Sequence, residues 1–346
     1  MRHHFFSVSL FFLSFCTTIY AQQQKHAITS IGFYNLENLF DCIDDPLTFD
    51  EDYTPTGKNQ WNEKKLKTKL DHIAEVIANI GVKTTKKPPA ILGVAEVENR
   101  DVLEQLVDHP LLQKSDYGIA HYNSPDRRGI DVALLYDRAV FTLTHAQKHH
   151  LFLKNEFNKT IHTRDQLCVS GYLGDELLYI IVNHWPSRRG GQQRSEPKRI
   201  EAAQLCKRIT DSIQHITPKA SIVIMGDFND DPNDKSFKKK LKTKATITHS
   251  SPYYLYNPME KMHKKGMGSL AYRDKWNLFD QLIVSSTLLD SVGFKLYKTH
   301  IFNPKFLMHT KGKYKGYPLR TYSRGIYTGG YSDHFPVYMY LVRPIH

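Results

Sequence analysis

Apolar residues along the chain gather into short, dense runs. These are AITSIGFYN (27–35), AILGVAEV (90–97), GIDVALLYD (129–137), LLYIIVNHW (177–185), SIVIMGDFN (221–229), DQLIVSS (280–286) and FPVYMYLV (335–342). They are rich in β-branched and aromatic side chains and show little polar alternation, which predicts strands buried on both faces. Two stretches between them change to a helical period. In residues 61–81, Leu66, Leu70, Ile73, Ile77 and Ile80 fall on one face and Gly81 supplies a stop. In residues 195–213, Ser195 predicts an N-cap and Pro197 a first-turn position, with Ile200, Ala203, Cys206 and Ile209 on the apolar face. Residues 232–272 are lysine-rich and weakly periodic. There DKSFKKKLKTK (234–244) predicts a short surface helix and YNPMEKMHKKGMGS (256–269) a loop. With no repeat, linker or break in composition, the pattern predicts one α/β domain over residues 22–346, helices packed outside closely stacked strands.

The first 21 residues stand apart from this pattern. Arg2 precedes the apolar stretch FFSVSLFFLSF, and Ala21 offers a small residue at a cut, so residues 1–21 predict an export leader cleaved near Ala21. The stretch is too short to span a bilayer comfortably, and no other run suggests a membrane anchor. Cleavage leaves Cys42, Cys168 and Cys206, enough for one bridge at most and spaced like no zinc motif; they read as buried apolar residues. A formal net charge of +12 favours anionic partners: nucleic acid, phosphorylated metabolites or acidic headgroups.

Charge alone names no reaction, but the polar residues at the strand ends narrow the choice. Asn35 and Glu37 follow the first strand, Glu96 ends the second, Asn183 and His184 follow LLYIIV, and Asp227 and Asn229 follow SIVIMG. Asp280 opens QLIVSS, and Asp333 and His334 precede the last strand. Any one of these is ordinarily a turn residue or a surface carboxylate. As a set they bring oxygen ligands, amides and histidine to the rim of one sheet system. That combination suits phosphate-ester hydrolysis assisted by a hard divalent cation rather than by zinc.

Taken in order, FYNLENLFD, GVAEVEN, DRRGIDVALLY, VNHWPSRRGG, IMGDFNDDP, KWNLFDQLIVS and GGYSDHFPV resemble the endonuclease/exonuclease/phosphatase superfamily. Deoxyribonuclease I, the exonuclease III-type abasic-site nucleases, the inositol-polyphosphate phosphatases and the neutral sphingomyelinases share that fold. The resemblance spans residues 28–343 and implies a four-layer αββα sandwich of two mixed sheets, with the active site at one edge. It implies Mg²⁺, or else Mn²⁺ or Ca²⁺, held on the side of Glu96, Glu37, Asn35 and Asp333. It gives Asp227 and Asn229 the attacking water and the scissile phosphate, His334 the phosphoryl oxygens, and Asp280 the steadying of the His334 ring. His184 corresponds to a second catalytic histidine and Asn183 to its phosphate-contacting neighbour. Arg128 is a candidate phosphate clamp, Arg127 its rival, and Arg188 and Arg199 further candidates, because guanidinium forks match phosphate oxygens.

Three readings of function follow. The first is an exported nuclease acting as a monomer on a nucleic-acid partner, with Trp185, Trp276 and Tyr322 available for stacking on bases. The second is a phosphatase or phosphodiesterase on a small or lipid substrate; NLFDQL departs from the block that the inositol phosphatases carry at that place, while the sphingomyelinase branch stays open. The third, a non-catalytic binding module, is disfavoured because Glu96, Asp227, Asn229 and His334 are all present. The residues at the rim are compatible with Asp227 or a histidine as general base, with one or more metal ions, and with endo or exo cleavage.

Overall fold

Twelve strands of the computed structural model, which describes residues 26–248, 253–290 and 292–345, assemble into two sheets. The leader expected over residues 1–21 lies outside the described residues. In chain order the strands are β1 (His26–Leu39), β2 (Ile91–Val97), β3 (Tyr117–His121), β4 (Asp131–Asp137), β5 (Phe141–His149) and β6 (Gln166–Leu173). They continue with β7 (Glu176–His184), β8 (Ser221–Asp227), β9 (Leu255–Tyr256), β10 (Asp280–Ser285), β11 (Lys295–Ile301) and β12 (Val337–Pro344). One sheet has the order β11-β12-β1-β2-β4-β3 and the other β9-β10-β8-β7-β6-β5. Both are mixed: β1 pairs parallel with β2, and β7 with β8, while the flanking pairs are antiparallel.

The alternation of side chains explains how the layers stack. Along β8, Val223 and Met225 enter the core shared by the two sheets, while Ile222 and Ile224 face the opposite way. That outer face meets Ala202, Ala203, Cys206 and Ile209 of α3 (Gln192–Ile216), so β8 is apolar on both sides, as its unbroken run predicts. Gly93 of β2 sets how closely the sheets approach, since a Cβ there would lie 2.5 Å from Met225 Sδ. The other outer layer holds α1 (Glu63–Asn79), which buries Leu66, Leu70, Ile73 and Ile77, and α2 (Arg100–Val107), which buries Val102, Leu103 and Leu106. Asn62 caps α1 by accepting from Lys65 N–H, and Gly81 follows in the left-handed region at φ 73°.

All seven predicted runs contain a strand. The edge strands β3, β5, β9 and β11 gave no comparable signal because they are short or partly exposed, and β5 carries Thr144, His145 and Lys148 toward solvent; β6 lies inside its sheet, but Ser170 and Gly171 interrupt its apolar run. Other expectations need correction. Helix α3 starts at Gln192, not after Ser195, because the positive φ of Gly190 and Gly191 turns the chain earlier. Ser195 Oγ therefore donates back to Gly191 O at 2.7 Å, and Pro197 lies inside the helix. The stretch 234–244 forms only one wide turn, Ser236–Leu241, whose Phe237 and Leu241 are buried beside α3. The expected loop 256–269 contains a short helix, Met259–Lys264. Cys42, Cys168 and Cys206 are free thiols, the last two buried.

Candidate active site

Strand polarity gathers the polar ends. The parallel strands β1, β2, β7 and β8 finish at one rim; β10 and β12 run against β8 and β1 and start there. Asp227 is in register with His184 on one side and Asp280 on the other. Bulges then turn side chains out of the pleat. The β1–β2 register shifts between Asn35 and Leu39, and the β2–β4 register between Ala95 and Val97. Glu37, Asn38, Glu96 and Asn229 all have left-handed backbones, with φ from 50° to 61°. Such positions cost roughly 1–3 kcal/mol each in a non-glycine residue and persist where the surroundings hold them. Here side chains do the holding: Asn38 N–H donates to Glu96 Oε2 at 3.1 Å, Glu37 N–H to Asn35 Oδ1 at 3.0 Å, and Asn229 N–H to Asp227 Oδ1 at 2.9 Å.

His334 occupies the middle of the rim. Its Nδ1 lies 2.6 Å from Asp280 Oδ2, and its backbone N–H donates to Ser332 Oγ, whose hydroxyl donates to Asn35 O. Ser269 Oγ donates to the same Asp280 oxygen at 2.5 Å. The free Nε2 points toward Asp227 Oδ2 and Asp333 Oδ1, each 3.9 Å away. Burial works against a charged ring, but Asp280 and then Asp227 outweigh it and hold the pKa well above the usual histidine value, so His334 is an imidazolium at neutral pH. His184 is the opposite case. Burial, with Arg164 and Arg128 nearby, pushes its pKa well down, so this ring is neutral. Its Nε2 stands 3.7 Å from both Glu96 Oε1 and Asp227 Oδ2. Asp227 is pushed up to about 7, burial being the largest cause and His334 opposing it. Asn35 Nδ2 donates to Asp227 Oδ2 at 3.0 Å and fixes that carboxylate.

Glu37, Glu96 and Asp333 form the acidic side. Glu37 accepts from Thr321 N–H at 2.6 Å and from Arg320 Nε at 3.1 Å, and Arg320 Nη2 reaches Asp333 Oδ2 at 2.9 Å. Burial and then the Asp333 charge raise Glu37 to about 7. Glu96 makes no ion pair with lysine or arginine among the described residues: its Oε2 accepts from Asn38 N–H, and its Oε1 stands 3.7 Å from the neutral His184. Oxygen donors around a carboxylate without an ion-pair partner suit a hard divalent ion, for which Glu96, Glu37, Asp333 and the amide of Asn35 are the candidate holders. Among the described carboxylates, histidines and cysteines, the group of three whose ligand atoms lie within 4.8 Å of one another is a different one, Asp227, Asp280 and His334. That set is better suited to holding a proton, since Asp280 Oδ2 is already engaged by His334 and Ser269.

The remaining candidates divide. Arg128 is half-exposed beside Asp126 and close enough to influence His184, whereas Arg127 is exposed and has no side-chain contact with the site among the described residues. Arg199 is fully buried, its Nε 2.6 Å from the equally buried Asp230, so it cannot serve as a phosphate clamp. Arg188 is tied to Asp234 at 2.7 Å, to Asn229 O at 2.8 Å and to the face of Phe279, which makes it the fastener of loop 229–234. Asn183 is also buried and spent on its neighbours: it donates to Ile181 O and Met225 O and accepts from Trp185 Nε1. Trp185 packs in the core against Phe228 and Phe237 and is closed to any base, while Trp276 stacks on Phe335 and Tyr322 packs at the edge of Tyr327. Sequence reasoning missed Arg320, Lys69, Ser269 and Ser332. Lys69 is buried in α1, donates to Thr321 Oγ1 and Tyr331 O, and braces the loop beneath Glu37. Its break in the apolar face of α1 was the one signal available for it.

A rim of this composition, on this pair of sheets, belongs to a known class. Residues 30–343 match the Endonuclease/Exonuclease/phosphatase family, and the chain belongs to that family of metal-dependent phosphoester hydrolases. Among solved structures it resembles D. rerio TDP2 complexed with a single-strand DNA product, with a TM-score of 0.55 at 12% identity, over 91% of this chain and 99% of that one. It also resembles an endonuclease/exonuclease/phosphatase family protein from Bacteroides thetaiotaomicron, with a TM-score of 0.53 at 14% identity, over 93% and 98% of the two chains. A mannosyl-6-phosphatase of Bacteroides thetaiotaomicron gives a TM-score of 0.50 at 15% identity, over 90% and 99%. At such identities the likeness shows the shared fold, the αββα sandwich of two mixed sheets. No curated protein sequence matches the chain.

Proposed function

We propose that the protein is an exported nuclease, a monomer that cleaves phosphodiester bonds by in-line attack of water with Mg²⁺ as its metal. The observation that carries this reading is the imidazolium of His334, backed by Asp280, whose Nε2 stands 3.9 Å from both Asp227 and Asp333, with Asp333 joined to Glu37 through Arg320. A bound divalent ion would supply positive charge to the phosphoryl and leaving oxygens. Asp227, fixed by Asn35 and Asn229 and titrating near neutrality, takes the proton of the attacking water. His334 donates from Nε2 to a phosphoryl oxygen, and its charge is worth most where charge grows in the transition state. Neutral His184 donates a second hydrogen bond, and Arg128 closes over the outer phosphate oxygens.

The basic net charge supports a polyanionic substrate, as does the fold shared with a protein whose structure holds single-strand DNA. No helix among the described residues is long and apolar enough to cross a membrane. Export rests on the leader, and an intact mass starting at Gln22 is the result expected from the secreted protein. The substrate class is tested by offering plasmid DNA, RNA, bis-p-nitrophenyl phosphate, p-nitrophenyl phosphate and sphingomyelin with Mg²⁺ or Mn²⁺. Nicked or degraded nucleic acid is expected. Intact plasmid and RNA with cleavage of the monoester or the lipid would overturn the nuclease reading and leave the hydrolase reading standing.

A further inference from the structure

Beside the reaction rim lies a second cavity of about 280 Å³ that the chemistry above does not use. It shares Arg320 and Asp333 with the site, and its other walls come from the hairpin 270–277 and the loop 309–324. These walls are held in place by their own contacts. The hairpin turns through Arg273 and Asp274, both with positive φ, as a tight two-residue turn requires. Tyr317 Oη donates to Asp274 Oδ1 at 2.6 Å, and Trp276, stacked on Phe335, meets the edge of Tyr317 at 5.7 Å. Arg324 Nη2 donates to Tyr314 Oη at 3.0 Å, and the Tyr314 and Tyr317 rings lie 5.7 Å apart.

The charge of this cavity is lopsided. Its two carboxylates are already engaged, Asp333 by Arg320 and Asp274 by Tyr317. Its cations Arg273, Lys313 and Arg324 are exposed, and no carboxylate lies within ion-pair distance of any of them among the described residues. Cations without such partners are common on a chain of net charge +12; what sets these three apart is that they line one cavity that also includes Arg320 and Asp333 of the rim. Cations around one cavity that lean on tyrosine rings, Arg273 on Tyr272 and Arg324 on Tyr314, and that have no carboxylate to neutralise them form a receptor for an anion attached to a flat or ring-shaped group.

We propose that this cavity is a second-phosphate subsite: Arg273, Lys313 and Arg324 bind a phosphate carried by the substrate next to the ester that is cleaved, while Tyr314 and Tyr317 pack against the unit joining the two. The proposal rests on the phosphoester-hydrolase reading and narrows its substrate to molecules with neighbouring phosphates. A nucleic-acid strand supplies these at every residue; a sugar or lipid bearing one phosphate does not.

The test compares binding of thymidine 3′,5′-bisphosphate and thymidine 5′-monophosphate to the mature protein by calorimetry in Mg²⁺. The bisphosphate is expected to bind roughly tenfold tighter or more, a single charge-assisted contact being worth that much. The double variant Arg273→Ala/Arg324→Ala is expected to erase the preference, with monophosphate affinity within about twofold of the parent, and Lys313→Glu to weaken bisphosphate binding alone. All three side chains are exposed, so the variants fold, and Arg273→Lys/Arg324→Lys should restore part of the preference. Equal affinities for the two nucleotides in the parent, or a preference that survives the double variant, would overturn the subsite. Turnover is read separately, on p-nitrophenyl esters of thymidine 5′-phosphate with and without a 3′-phosphate; the added phosphate should lower KM at constant kcat. Failure to hydrolyse either ester would sink the hydrolase reading, while the binding comparison would still decide the subsite.

Discussion

His334 and Asp280 lie 54 residues apart and meet at 2.6 Å. Their contact has a measurable consequence, because Asp280 is a positioning residue that also sustains the imidazolium. With its pKa raised in the folded protein, His334 is charged below that value and loses its charge, and its hold on the phosphoryl oxygens, as pH rises through it. Asp227 must be ionised to accept a proton, so the rate climbs as pH rises through about 7. Asp280→Asn should therefore shift the high-pH limb of the kcat profile to lower pH and lower the plateau by roughly 10²-fold or more, while the low-pH limb remains. A lower plateau with both limbs in place would mean that Asp280 is merely structural. Arg199 makes the complementary point. Removing one member of a fully buried ion pair costs about 3–5 kcal/mol, so Arg199→Met should lower the unfolding free energy by that order and leave the KM of the folded fraction unchanged. A higher KM at normal stability would return Arg199 to the substrate. The strand-end residues were legible because polar tips on apolar strands are conspicuous. Arg320 was not, because 283 residues separate it from Glu37 and nothing local marks it. Arg188, Arg199 and Asn183 were over-read, since their charge and amide chemistry suit phosphate and the carboxylates and carbonyls that occupy them are visible only in the fold.

Among the elements, the central strands are where pattern and structure agree best. Strands buried on both faces leave long apolar runs, whereas β5 at a sheet edge alternates with solvent and gives a signal hardly distinguishable from a loop. The bulges that aim Glu37 and Glu96 leave no sequence signal either, because neither residue is one that favours a left-handed backbone. Contact between the sheets can be probed at Gly93. Gly93→Ala places a methyl group against Met225 Sδ at 2.5 Å and should destabilise by roughly 1–3 kcal/mol, with part of the loss recovered when Met225→Ala makes room. The check is chemical denaturation of the two single variants and the double. Strictly additive losses would show that the two residues do not meet.

Over the whole molecule, the charge of +12 and the acidic rim pull in opposite directions: the surface attracts polyanions and the site attracts cations. Binding of single-stranded DNA should accordingly weaken as salt rises, with a log–log slope of about −0.7 per phosphate contacted, whereas binding of a neutral polymer should not respond. The central claim is that the rim formed by six strand ends hydrolyses phosphoesters with a divalent metal and His334. It is tested most directly by the initial rate of bis-p-nitrophenyl phosphate hydrolysis at neutral pH, measured for the parent and for His334→Ala, in Mg²⁺ and after chelation. Turnover by the parent in Mg²⁺ is expected, with its loss on chelation, recovery on adding the metal back, and a fall of roughly 10²–10⁴-fold in His334→Ala. A rate that survives chelation, or a His334→Ala variant as fast as its parent, would contradict it.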